Sequence, residues 1–431
     1  MLSRLSPEEL ASIYDESREK MLPAERLDWL NQRLVSQLRF AYENAPAVKE
    51  KFDNAGITLA DIQSIEDLER LPVTKKDDLI KLQHARPPFG GFLAKPVNSL
   101  NRVYLSPGPI YDAFGMERVK SAVRGFLRAG YPRQGDVVLV SMAYNMVPAG
   151  LMLTDALDLI GCTVVPAGTG QTELQVKLLH DLQATAIFGF PSFVMNILQK
   201  AEEMGYDVRN DFNLKYVQGA GERHIDLLRK RFMEDYGLKL IGGYGTADLG
   251  EVAYSCSTGE GYHFADEDCI VEIVDPETGR QMGPMKEGEV VVTLFSDVYP
   301  LVRFGTGDLA TYTDEVCQCG RTVPRISRIL GMIGDHIRVK GMFVHLRELD
   351  KAMSRLSDVS RYQMVAYLEG HRDGIALKIE EKPDSNKESL SRVITETCRD
   401  VFRLKVDQIE FVDQGTLVEP YSKFLDTRWE Q

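Results

Sequence analysis

The sequence predicts an α/β protein, with a large multi-subdomain N-terminal domain of mostly parallel sheets and a small α+β C-terminal domain. Three observations carry this expectation. Between residues 100 and 300, short apolar runs alternate with longer segments of helical period, the pattern of βαβ units. The ends of those predicted strands carry Gly189, Gly219, Gly221, Gly242, Gly243 and Gly245, where parallel sheets bind ligands. Beyond Gly331 the pattern changes to strand, strand, helix, strand, and 431 residues exceed what one simple core holds.

Taken in order, residues 1 to about 85 read as a helical lead-in. Its Leu, Ile and Phe recur at helical spacing, Pro23, Pro46 and Pro72 punctuate it, and Ser6-Pro7-Glu8-Glu9 is a start signal. "DVVLVSMA" (136–143), "TVVPA" (163–167), "TAIFGF" (185–190) and "LKYVQGAG" (214–221) are expected as buried strands. "MVPAGLMLTDALDLIG" and "TELQVKLLHDLQ" are expected as the helices between them. Residues 270–315 alternate with a period of two in "CIVEIVD", "GEVVVTLF" and "LVRFGTGDLATY". A hinge is placed at 331–335, where Gly331 and Gly334 loosen "GMIGDHIRVKG". Residues 336–431 then form the small domain, with strands in "YQMVAYLEG", "GIALKIEE" and "QIEFVD" and a helix from about Ser385 to Phe402.

Composition narrows the function classes. With 51 basic and 64 acidic residues the net charge is −13, which argues against nucleic acid as a partner. No apolar run reaches about 18 residues, so no membrane partner is expected. The amino terminus lacks the apolar core of a signal peptide, and the expected location is cytoplasmic. Six cysteines are then core residues or metal ligands rather than a disulfide frame. Cys162, Cys269 and Cys398 read as core, and His180, His224 and His345 as structural or surface residues. Cys256, His263, Cys317 and Cys319 form a separate set, since three thiolates and an imidazole suit tetrahedral zinc. The plain alternative is four unrelated residues.

The remaining motifs are "YENAPAVKEKFDNAGITLADIQSIEDLERLPVTKKDDL" (42–79), "GAGE" (219–222), "YGTADLGE" (244–251), "PLVRFGTGDLA" (300–310), "CQCGRTVPRISRILG" (317–331) and "VKGMFVHLRELD" (339–350). In this order, over most of the chain, they resemble the adenylate-forming enzymes, and within them the phenylacetate–CoA ligase branch. The resemblance makes 1–330 an AMP-binding domain and 336–431 a mobile domain turning about the hinge. It implies an ATP-dependent ligase joining a carboxylic, and by its apolar lining aryl, acid to coenzyme A through an acyl-adenylate. ATP and AMP, Mg²⁺ and coenzyme A follow as cofactors, with structural Zn²⁺ at the Cys/His set. A small-molecule carboxylic acid is the partner, and a homodimer is allowed for.

By the same resemblance, Asp308 holds both ribose hydroxyls, since a carboxylate accepts two hydrogen bonds from vicinal donors. Its plain alternative is an acid that steadies a turn. Tyr244 packs on adenine with Gly245, and Asp248 helps hold Mg²⁺. Gly219, Ala220, Gly221 and Glu222 join the nucleotide site and the acyl pocket, the latter also lined by Tyr144, Met146, Phe190 and Pro191. Ser106 and Gly108 belong to the phosphate loop, and Gly341 to the path of the coenzyme A thiol. Lys423 stabilises charge on the substrate carboxylate and α-phosphate during adenylation.

Several positions depart from the pattern. Ala247 stands where a hydroxyl is expected, with Thr246 one residue away. "YLSPGPIYDAFG" (104–115) has no lysine, and Pro107 and Pro109 have no N–H, leaving Arg102 as a stand-in cation. Met332 replaces an arginine and Gly334 an acid. A second reading therefore stays open, an inactive relative that binds nucleotide or acyl groups, and a third, an adenylating enzyme with another acceptor.

Overall fold

The structure, a computed structural model, describes residues 4–106, 110–220, 225–255, 258, 260–333, 336–339, 342–369, 372–383, 385–402, 405–418 and 421–427. It divides into two compact units, Met1–Leu330 and Gly331–Gln431.

The first unit opens with helices. Ser6 and Glu9 form a reciprocal capping box that starts the helix Pro7–Ile13. The helix Pro23–Asn44 has proline in its first turn and buries Leu34, Leu38 and Ala41 on one stripe. Those residues share a core with Phe52, Val292 and Phe304, so the lead-in packs onto the strands that close the unit.

Strands β1 (Arg102–Ser106) and β2 (Ile110–Phe114) pair as an antiparallel hairpin. The main sheet takes β3 (Val137–Ser141), β4 (Thr163–Val165), β5 (Ala186–Gly189), β6 (Tyr216–Ala220), β7 (Lys239–Thr246) and β8 (Gly250–Tyr254). It continues through β9 (Tyr262–Phe264), β10 (Cys269–Val274), β11 (Gly288–Leu294), β12 (Phe304–Thr313) and β13 (Arg325–Met332). Among the described residues its order is β10-β11-β12-β13-β9-β8-β7-β6-β5-β3-β4.

The predicted parallel pairing belongs to β4, β3, β5, β6 and β7, which are joined by helices such as Ala149–Ile160 and Pro191–Glu203. Buried on both faces, these strands need unbroken apolar runs, which is why they were legible. At β7 the chain turns straight back into β8, and a connection that short permits only antiparallel pairing. From there the alternating segments pair antiparallel, β8 with β9 and β10 with β11 among them. Cys162, Cys269 and Cys398 are buried, as expected of core residues.

The second unit starts with the hairpin β14 (His336–Val339) and β15 (Met342–His345). The helix Leu346–Met353 leads to β16 (Val359–Glu369) and β17 (Arg372–Glu381), an antiparallel pair. The helix Lys387–Phe402 returns the chain to β18 (Gln408–Val412), and β19 (Phe424–Asp426) completes the sheet in the order β18-β17-β16-β19. Leu349, Met364, Leu377, Ile394 and Cys398 form this unit's own core. No described helix is long and apolar enough to cross a membrane.

Candidate active site

"YGTADLGE" is a tight β-hairpin. Thr246, the last residue of β7, pairs with Gly250, the first of β8. The Leu249 N–H donates to the Thr246 hydroxyl at 3.2 Å, so that hydroxyl is engaged inside the turn. Both glycines are required. A Cβ on Gly245 would meet the Gly250 oxygen at 2.2 Å, and Gly250 has a left-handed φ of +80°.

Asp248 sits at the tip of this hairpin and is nevertheless only 2 % exposed. Lys76, at the start of the helix Lys76–Ala85, donates to its Oδ2 at 3.1 Å. Its Oδ1 is buried with no hydrogen-bond partner among the described residues, a placement that costs free energy unless a cation or donor arrives. Arg118, from the helix Met116–Ala129, donates to the Ala247 carbonyl and lies 5.4 Å from the Phe114 ring centre.

The β1–β2 hairpin supplies a second buried acid. Asp112 accepts from the Ser106 hydroxyl, and its Oδ1 has no hydrogen-bond partner among the described residues. Burial, and next the charge of Asp248, push Asp112 up to about 7, against the pull of Arg118 and Lys76. Lys76, Arg118, Asp112, Asp248 and Ser106 are thus one electrostatic cluster. Sequence reasoning found Ser106 and Asp248 but not the other three. The expected stand-in cation, Arg102, pairs with Asp155 instead, because that acid on the helix Ala149–Ile160 lies beside β1. The cations that reach the site are Lys76, from within the quoted segment 42–79, and Arg118. Gly108 lies outside the described residues.

Tyr244 and Asp308 meet. The Tyr244 hydroxyl donates to Asp308 Oδ2 at 2.8 Å and lies 3.1 Å from Thr306 Oγ1. Burial, followed by the Asp308 charge, pushes that phenol well above its usual value, so it stays a donor. β8, β9 and β13 lie between β7 and β12 in the sheet, so its curl brings the two side chains together. Gly219 and Gly242 are register partners in β6 and β7, and a Cβ on Gly219 would meet Pro191 at 2.5 Å. Ala220 ends β6 beside them, while Gly221 and Glu222 lie outside the described residues.

A cavity of about 260 Å³ adjoins Asp248 and is lined by Glu117, Arg118, Ser121, Arg124, Glu251 and Tyr299 among others. Burial pushes Glu251 up to about 8, with Asp268 adding and Arg128 and Arg124 opposing. Met146 and Phe190, just past β3 and β5, are exposed large apolar residues.

The Cys/His set converges in part. Donor atoms of His263, Cys317 and Cys319 all lie within 4.8 Å of one another. The His263 Nδ1–H donates to the Val323 carbonyl at 2.9 Å, which leaves Nε2 as the ligand atom, 3.5 Å from the Cys319 sulfur. Burial alone would raise the Cys317 thiol, but hydrogen bonds from the Cys319 N–H and Thr258 hold it below its usual value. Cys256 lies outside the described residues.

Lys423 belongs to the second unit, where its ammonium donates to Asp350 Oδ1 at 2.7 Å and to the Tyr362 hydroxyl at 3.2 Å. At the expected hinge, Met332 and Ile333 are exposed. Gly334, Asp335 and Gly341 lie outside the described residues.

Comparison with known proteins supplies the context for this geometry. The family described as AMP-binding enzyme matches residues 116–294. The phenylacetate–coenzyme A ligase of Thermus thermophilus is 31 % identical over 375 residues, covering 83 % of this chain and 82 % of its own. That of Pseudomonas putida is 30 % identical, covering 87 % and 84 %. Among solved structures, an open conformation of 2-hydroxyisobutyryl-CoA ligase with 2-HIB-AMP and CoA superposes with a TM-score of 0.84 at 24 % identity, covering 98 % of this chain and 96 % of that one. The same ligase in its postadenylation state gives 0.74 at 25 %, covering 98 % and 94 %.

Proposed function

We infer the chemistry from one premise: this chain belongs to the phenylacetate–coenzyme A ligase family of adenylate-forming enzymes, and it is an ATP-dependent acid–CoA ligase working through an acyl-adenylate. In the first half-reaction a substrate carboxylate oxygen attacks the α-phosphorus of ATP, and the bond to the β-phosphate breaks to release pyrophosphate. In the second, the coenzyme A thiol attacks the acyl carbon, AMP leaves and the thiol proton is lost to solvent.

The observation that carries the residue assignment is the part-buried contact of Asp308 with Tyr244, which lies on the hairpin strand that leads to Asp248. Asp308 is assigned to the ribose hydroxyls and the Tyr244 ring to the adenine. Asp248, with its bare buried Oδ1, is the carboxylate that fits Mg²⁺. When bound, that ion supplies charge neutralisation on the phosphates. Lys76 and Arg118 bring two further positive charges to the same place and offset the missing loop lysine. Ser106 belongs to the phosphate loop and Lys423 to the adenylation step. Thr246 accepts from the Leu249 N–H inside the turn, which orients its hydroxyl and leaves the O–H proton to donate to a phosphate.

The substrate is proposed to be an aryl acid. Support comes from the exposed apolar Met146, and from Phe190, which precedes the Pro191 that packs against Gly219. Zn²⁺ is proposed at His263 Nε2 and the sulfurs of Cys317 and Cys319, which lie together, with Cys256 as the fourth ligand that a closed structural site takes.

Incubating the purified protein with ATP, Mg²⁺, coenzyme A and a panel of aryl acids tests the reading. AMP, pyrophosphate and a thioester should appear in equal amounts with at least one acid. Absence of nucleotide turnover with every acid, together with no ATP binding by calorimetry, would reject it.

A further inference from the structure

The second unit contains a place for the Lys423 ammonium that the ligation chemistry does not itself require. Three rigid elements build it. β16 pairs in parallel with β19, aligning Met364 with Phe424, and the Met364 N–H donates to the Lys423 carbonyl at 2.8 Å. The Gln363 amide donates to the Ser422 carbonyl at 2.7 Å, so the backbone on both sides of Lys423 is fixed. From that anchor the side chain reaches Asp350, on the helix Leu346–Met353, and Tyr362, on β16. The Tyr362 hydroxyl also donates to Asp350, and the ammonium lies 5.1 Å from the Tyr362 ring centre. Carboxylate, phenol and ring face together form a cradle for one ammonium.

We propose that Asp350 and Tyr362 are positioning residues that hold Lys423 between adenylations, so that the cradle sets how much of the time the ammonium is available to the substrate carboxylate and α-phosphate. The inference rests on the ligase reading and on Lys423 as the adenylation lysine. An ammonium whose charge is offset by its own unit's carboxylate stabilises a substrate carboxylate and α-phosphate less than a released one. The lysine is therefore drawn from a populated competing contact whenever adenylation proceeds. Both partners stay partly exposed, at 37 % and 43 %, so the contact is weak enough to break in each turnover.

The experiment measures the two half-reactions separately in the full chain. Acid-dependent exchange of labelled pyrophosphate into ATP reports adenylation, and thioester formation from isolated acyl-adenylate and coenzyme A reports the second step. Asp350→Asn should raise the ratio of the first rate to the second by about two- to fivefold, the factor of a half-exposed ion pair. Tyr362→Phe keeps the ring and should give a smaller rise in the same direction. Equal changes in both half-reactions would make the cradle a structural contact and overturn the proposal. Unchanged exchange in Lys423→Ala would also overturn it, by removing Lys423 from adenylation, while leaving the ligase reading intact.

A second measurement needs no turnover. In limited acetylation read by mass spectrometry, Asp350→Asn should speed modification of Lys423 about threefold or more relative to the other lysines of the same chain. An unchanged labelling rate would overturn the cradle whatever the activity.

Discussion

Replacing Asp248 with asparagine keeps the side chain's size and one acceptor oxygen but removes its charge. At the 3.1 Å separation from Lys76, Coulomb's law with an effective dielectric of about 20 gives an attraction of roughly 5 kcal/mol. Lys76 is 37 % exposed, however, and water screens such a pair to a net value of about 1 kcal/mol or less. The loss is offset further by Asp112. The Asp248 charge is the second cause, after burial, of that carboxyl's raised pKa, so its removal lets Asp112 ionise more readily and share the counter-charge for Lys76 and Arg118. Asp248→Asn should therefore unfold in urea within about 1 kcal/mol of the parent. Its kcat for pyrophosphate release should nevertheless fall about 100-fold or more, the scale of losing one preorganised charge in a transition state. The assay pairs a urea titration with Mg²⁺-dependent pyrophosphate release at a fixed acid concentration. A variant destabilised by more than about 3 kcal/mol, with activity lost only in proportion to unfolding, would make Asp248 a structural ion partner and refute the reasoning. An unchanged kcat would refute it equally.

Three other outcomes are expected. Asp308→Ala should raise the KM for ATP by about tenfold or more, since charge-assisted hydrogen bonds contribute about 1.5–3 kcal/mol each; an unchanged KM would take the carboxylate off the ribose. Lys51 is buried, donates to Thr74 and the Val302 carbonyl, and is pushed down to about 7 by burial and then by the charge of Arg303. An unfolded lysine titrates near ~10.4, so between pH 7 and about 10 the unfolded chain holds the extra proton and stability rises with pH. Relative to Lys51→Met, the parent should gain about 2 kcal/mol between roughly pH 7 and 9 in denaturant titrations. Protein purified without added metal should carry about one equivalent of zinc by elemental analysis, and Cys319→Ser should carry far less and melt several degrees lower.

What was legible in the sequence divides along physical lines. Strands such as Val137–Ser141 and Ala186–Gly189 are buried on both faces, which forces continuous apolar runs that any window detects. The hairpin glycines were legible because Gly245 and Gly250 answer local steric demands. Helix edges were less so. The helix expected from Met146 begins at Ala149, because Met146 takes a left-handed φ of +67° and Pro148 holds the cap. Lys76, Arg118 and Asp112 were invisible for another reason. Lys76 finds Asp248 across 172 positions, and a pairing of that span leaves no periodic trace. Asp112 is a lone acid within a five-residue strand, and only tertiary enclosure makes it different from a surface aspartate. The Cys/His set was legible by chemistry, since Cys-x-Cys beside Gly320 is a turn that aims two sulfurs together.

The Tyr244–Asp308 contact has a consequence for the pace of the cycle. On the proposed ribose role, an Asp308 oxygen that already accepts from a phenol inside the fold would offer an incoming hydroxyl an exchange of partners rather than a first bond. A departing nucleotide would then leave behind a carboxylate that Tyr244 still serves. A site built this way would trade nucleotide residence time for frequency of turnover.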